Sequence, residues 1–134
     1  NELTMKELLC DRKNGYVWNG VRHNEIIPMT ITLSPFKRSY NIFLNADGYA
    51  VNILTKKQND LCLNFSSPVE DKFKNVKWYL SDNGYPIIHD TLAWFDCVKW
   101  NYYNGGDHQI LVGEVKSHYH TENEPLLYWN SKIS

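Results

Sequence analysis

His108 directly follows Asp107 and stands behind a Gly105-Gly106 pair. Imidazole is the side chain whose ordinary charge change falls near neutral pH, so it can donate a hydrogen bond or carry positive charge where a reaction needs either. Two glycines tolerate positive φ and join antiparallel strands tightly. His108 is therefore expected where a rigid hairpin turns, held yet reachable, or else as a turn-stabilising partner of Asp107. Ser34, Lys37, Arg38 and Ser39 belong to a polar, turn-forming run ahead of a helix expected at Tyr40. Free backbone N–H groups and the dipole make a helix N-terminus favourable for anions. The run reads as a phosphate pocket or as a solvated cationic loop. Asn52 is a lone amide in the apolar stretch Tyr49 to Leu54, able to meet a ligand or to satisfy a neighbouring strand.

Other chemistries find less support. His118 and His120 share one face of a strand but lack a third ligand, so a surface pair is expected and no metal site. There is no Gly-x-Ser-x-Gly, no cysteine in an activating motif, and no phosphate-binding or dinucleotide glycine motif.

Several elements must position these residues. Leu92 to Tyr103 is a long strand candidate, aromatic and β-branched on both faces, leading to the glycine pair and a second strand. Asn14-Gly15 between Leu8–Arg12 and Tyr16–Arg22 is a strong hairpin signal, and Met29 to Leu33 alternates as a further strand with Pro28 at its start. Tyr40 to Ala46 reads as a short helix with Ser39 as N-cap and Gly48 just past its end. Thr55 and Gln58 form a capping box for a second helix, on which Leu54, Gln58, Leu61, Cys62 and Phe65 share a face. Ser81-Asp82-Asn83-Gly84 is a turn. Six or seven strands with two short helices are too strand-rich for alternating βαβ units, so the fold class is mainly β, an antiparallel and closed sheet.

The 134 residues suit a single domain, 1–134. A net charge of -1 with mixed signs argues against nucleic-acid and membrane-surface roles, and no apolar run approaches a membrane span. Cys10, Cys62 and Cys97 are odd in number and widely spaced, which suits a reduced, cytoplasmic protein. The chain starts at Asn1 without an initiator methionine, and its N-terminus reads as shortened.

GDHQILVGEV followed by EPLLYW resembles the C-terminal signature of the flavin reductase-like family. GYAVNIL, Gln58, DKF, GYPII and LAWFDC fall in that family's order, from Gly48 to Tyr128. The resemblance implies an FMN-binding split barrel, closed and antiparallel with six to seven strands and two or more short helices, usually a homodimer with flavin at the interface. It implies transfer of reducing equivalents from NAD(P)H, a transient substrate, to FMN, with FAD as the other flavin, and supply of a partner monooxygenase. It also associates His108 with the active-site face of the flavin, and the loop around Ser34, Lys37, Arg38 and Ser39 with its phosphate.

A flavin ring needs an apolar slot, polar groups along its pyrimidine edge, and a cationic end for phosphate. Asn52 and Asn19 are candidates for the edge, and His23 lies in the segment corresponding to the family's flavin-contacting loop. That segment departs from the pattern. Where relatives carry Ser/Thr-rich sequence and a double proline, this chain has Trp18-Asn19-Gly20-Val21-Arg22-His23-Asn24-Glu25-Ile26-Ile27-Pro28. Two other readings therefore stand beside the reductase: a flavin-free barrel binding another small molecule, and an FMN electron-transfer protein with a protein donor.

Overall fold

The computed structural model describes residues 27–134. The hairpin expected around Asn14-Gly15, with Asn19, His23 and Cys10, lies outside the described residues. The frame is one long antiparallel hairpin, β5 (Ala93–Gly105) and β6 (His108–His120). It grows from β-branched and aromatic residues that fit a pleated, half-buried surface. β1 (Pro28–Leu33) pairs with the turn-proximal half of β6, and β2 (Gly48–Ile53) with the turn-distal half of β5. The four-stranded sheet runs β1-β6-β5-β2. Register shifts at Asp96/Cys97 and Lys99/Asn101 bend and twist it.

Successive residues of β5 face opposite ways. On one face Leu33, Tyr49, Cys97 and Leu111 form the buried centre, with Tyr40 and Phe43 of α1 (Tyr40–Asn45) packed against it. Tyr49 donates from its hydroxyl to the Met29 carbonyl at 2.6 Å, joining the two edge strands across the sheet. Its ring lies over Gly113, where a Cβ would sit 2.8 Å from that hydroxyl and 3.0 Å from the Cys97 Cβ. Glycine at 113 is thus a packing requirement.

The hairpin of β3 (Trp78–Leu80) and β4 (Pro86–Ile88) covers the other face. Fully buried Asp96 binds its connecting turn, accepting from Ser81 Oγ and Asn83 Nδ2, each at 2.8 Å. A carboxylate can be buried when its oxygens are satisfied in this way. A 3-10 turn, Lys56–Gln58, precedes α2 (Asn59–Ser66), and Gln58 Oε1 accepts from the Thr55 backbone N–H at 3.0 Å, one half of the expected box. β7 (Tyr128–Trp129) and β8 (Lys132–Ile133) form a small terminal hairpin.

The fold is mainly β with few helices, and three local expectations change. The Gly105-Gly106 turn is a two-residue loop of Gly106 and Asp107, because Gly105 still pairs with His108. Gly106 takes φ +74; glycine at the first central position is the type II′ signature. Gly48 is no helix cap. It opens β2, and a Cβ there would run into the Cys97 carbonyl and the Tyr85 ring. Ser39 precedes α1 but its side chain makes no capping hydrogen bond. Among the described residues, no helix is long and apolar enough to cross a membrane.

Candidate functional site

Leu33 pairs with Gln109, so the chain leaves β1 one residue short of the level of His108. The loop of Ser34, Lys37, Arg38 and Ser39 therefore starts at the end of the sheet where His108 stands. Sequence separation hides this, and the antiparallel register produces it. The loop is self-braced: the Lys37 N–H donates to the Ser34 carbonyl at 3.1 Å, and the Phe43 N–H to the Ser39 carbonyl at 3.0 Å. Lys37 and Arg38 are exposed, and neither forms an ion pair with another described residue. Two cations without an ion pair to another described residue, beside the Ser39 hydroxyl, suit an anionic group.

His108 is half-buried, with Nδ1 at 2.9 Å from Asp107 Oδ1. A carboxylate only accepts, so this contact selects the Nδ1–H tautomer and leaves Nε2 as the group to meet a ligand. The bond from His108, with the Asp107 backbone next, holds the Asp107 carboxyl below its usual range. Both roles expected of His108, turn partner and reachable imidazole, coexist in this geometry. Gln109 Nε2 donates to Asn104 Oδ1 at 2.6 Å and braces the hairpin neck.

Asn52 is elsewhere. It pairs with Trp94, which pairs with Tyr119. That level is about eleven residues along β6 from His108, or roughly 35 Å of strand. Its amide is engaged on both sides by β4: Nδ2 donates to the Pro86 carbonyl at 3.1 Å, and Oδ1 accepts from the Ile88 N–H at 2.9 Å. Of its two readings, the structural one describes these bonds. His118 and His120 are exposed near the same far end, and no group of three metal-ligating side chains occurs among the described residues.

A pocket of about 300 Å³ opens at this far end, between the β3–β4 hairpin and the rings of Trp94 and Tyr119. Sequence reasoning missed it, because its walls come from three separate segments, each unremarkable alone.

The sequence profile of the family described as flavin reductase like domain matches residues 18–134. The reductase subunit HsaB of a flavin-dependent monooxygenase from Mycobacterium tuberculosis (strain H37Rv) is 37% identical over 92 residues, spanning 67% of this chain and 49% of that protein. SmoA of Agrobacterium fabrum, an FMN reductase (NADH), is 31% identical over 116 residues, spanning 85% of this chain and 66% of its own length. The Streptomyces globisporus NADH:FAD oxidoreductase SgcE6, solved with NAD and FAD fragments, superposes with a TM-score of 0.75 at 25% identity, over 80% of this chain and 66% of that one. The chain spans as little as 28% of the length of the curated relatives it matches.

Proposed function

The chain belongs to the flavin reductase-like family, and on that premise we propose that it passes reducing equivalents from NAD(P)H to a flavin that supplies a partner monooxygenase. The observation that carries the reading is the convergence of the cationic loop and His108 at one end of the sheet. FMN is the proposed flavin and FAD the other, each with a relative that uses it by name. The partner follows the relatives that are reductase subunits of monooxygenases.

The residues at this end fit such a group. Lys37 and Arg38 would hold its phosphate with charge-assisted hydrogen bonds, Ser39 would add a hydroxyl, and Ser34 sets the start of the loop. Asn19 and His23 complete the set proposed to meet the ring. His108 would present Nε2 to the nicotinamide side, oriented by Asp107. A bound flavin supplies the hydride-accepting chemistry; the protein's part is to align donor and acceptor and keep water away. Asn52, engaged by β4 and far along the strand, belongs to such a site only if the partner copy brings it there.

The finer architecture belongs to the same proposal. Residues 1–134 form one domain, and its sheet closes into an antiparallel split barrel. Two copies pair with flavin between them, as the exposure of Trp100, Tyr102 and Tyr103 beside the site supports. NAD(P)H is an intracellular pool, so the proposed setting is cytoplasmic. The test is oxidation of NADH and NADPH by purified protein with added FMN or FAD. Flavin-dependent turnover above the protein-free mixture is the expected result; its absence with either flavin and either donor would overturn the reading.

A further inference from the structure

The pocket at the far end of the hairpin is lined by Tyr79, Trp94 and Tyr119, with Ile88 in its wall. Trp94 and Tyr119 are cross-strand partners, their rings nearly parallel at 26° with centroids 6.3 Å apart. Tyr79 is fixed edge-on by His89, with centroids 5.2 Å apart. Asn52 positions Ile88 through its backbone N–H. Three rings are thereby held by different elements around one space.

Asp90 is among the lining residues, and none of the described ones that line the pocket is a lysine or arginine. Thr91, only 4% exposed, also lines the pocket, as do Thr121 and Asn123. These three polar residues beside the rings suit a ligand that carries a hydrogen-bonding group as well as apolar surface.

We infer that this pocket is a second binding site, for a small alkylated ammonium compound that carries a hydroxyl or other hydrogen-bonding group. Aromatic faces attract a cation through their ring quadrupoles, most strongly Trp, and alkylated ammonium ions are the cations that aromatic cages take. Asp90 supplies the compensating charge, and Thr91 meets the polar group. About 300 Å³ is at the lower end of small-molecule sites, which limits the ligand to a few heavy atoms. The site lies at the opposite end of β6 from His108 and does not depend on what binds there.

The test is a titration of the ¹⁵N-labelled full chain with choline and with its uncharged isostere 3,3-dimethylbutan-1-ol, following the Trp94 indole N–H signal. Choline is expected to shift that signal saturably and to bind about tenfold or more tightly than the alcohol. Asp90→Asn is expected to weaken choline severalfold. Residue 90 has φ +61, a conformation asparagine adopts readily, so this variant keeps the fold. Thr91→Val is expected to weaken choline severalfold while leaving tetramethylammonium, which has no hydroxyl, unchanged. No saturable shift with choline, or equal affinity for the alcohol, would overturn the proposal, since the pocket would then bind nothing of this class or take apolar bulk regardless of charge.

Discussion

The Asp107–His108 pair is exposed enough that its direct contribution to stability is small. Its importance lies in which imidazole nitrogen carries the proton. Asp107→Asn replaces an acceptor with a group that can also donate, so Nδ1 need no longer hold the proton. Turnover is expected to fall while flavin affinity and melting temperature stay close to wild type. His108→Ala is expected to slow turnover by roughly 10²-fold, in the range for a positioned proton-transfer or electrostatic group, again with flavin affinity little altered. Equal loss of affinity and rate in either variant would assign the pair to binding. Lys37→Ala with Arg38→Ala is expected to do the converse, weakening flavin binding by about 1 to 3 kcal/mol through lost charge-assisted bonds, as measured by fluorescence titration. Sequence disclosed these residues by type and place together: an imidazole just past a glycine turn, and cations with hydroxyls ahead of an expected helix N-terminus. It could not disclose that Asn52 is occupied, because its partners, Pro86 and Ile88, arrive from a separate hairpin.

At the scale of elements, the long hairpin is the scaffold to which the strands flanking it and the covering hairpin are fixed. Its turn depends on φ +74 at Gly106, so Gly106→Val is expected to shift the level of His108 and reduce activity along with stability. Gly113→Ala tests the opposite end of the logic, packing without backbone strain. The added methyl group meets the Tyr49 hydroxyl and Cys97, and a loss of about 1 to 3 kcal/mol is expected by chemical denaturation. An unchanged midpoint would mean that Tyr49 can move aside at no cost. The hairpin was legible from its β-branched and aromatic run and from the adjacent glycines. Its turn was misplaced by one residue because both glycines suit a turn, and only register decides that Gly105 pairs with His108. The role of Asp96 was not legible. An acid in an apolar strand gives no local sign that Ser81 and Asn83 will meet it.

For the whole molecule, pH dependence follows from two acids in the buried centre. Burial first, and then the Asp96 carboxylate, pushes the Cys97 thiol up from 9.0 to about 12. Burial likewise pushes the Tyr49 phenol up from 10.0 to about 12, with the Cys97 charge adding to it. The folded state thus holds both protons more tightly than the unfolded chain. Their contribution is complete below pH 9 and is lost as pH rises towards 12. Denaturation midpoints should fall across that window, and less steeply in Cys97→Ala; a flat profile would place both groups in contact with water. The exposed Trp100, Tyr102 and Tyr103 lie on the turn-proximal part of β5, the strand that ends opposite His108, so the proposed pairing of copies and the proposed site are coupled. The measurement that bears most directly on the central claim is steady-state NADH oxidation against FMN concentration, for the wild type and for the Lys37→Ala, Arg38→Ala double variant. The account predicts saturable flavin-dependent turnover in the wild type and a raised FMN requirement with a preserved maximal rate in the variant. Turnover no faster than free FMN with NADH, or identical FMN curves for the two proteins, would contradict it.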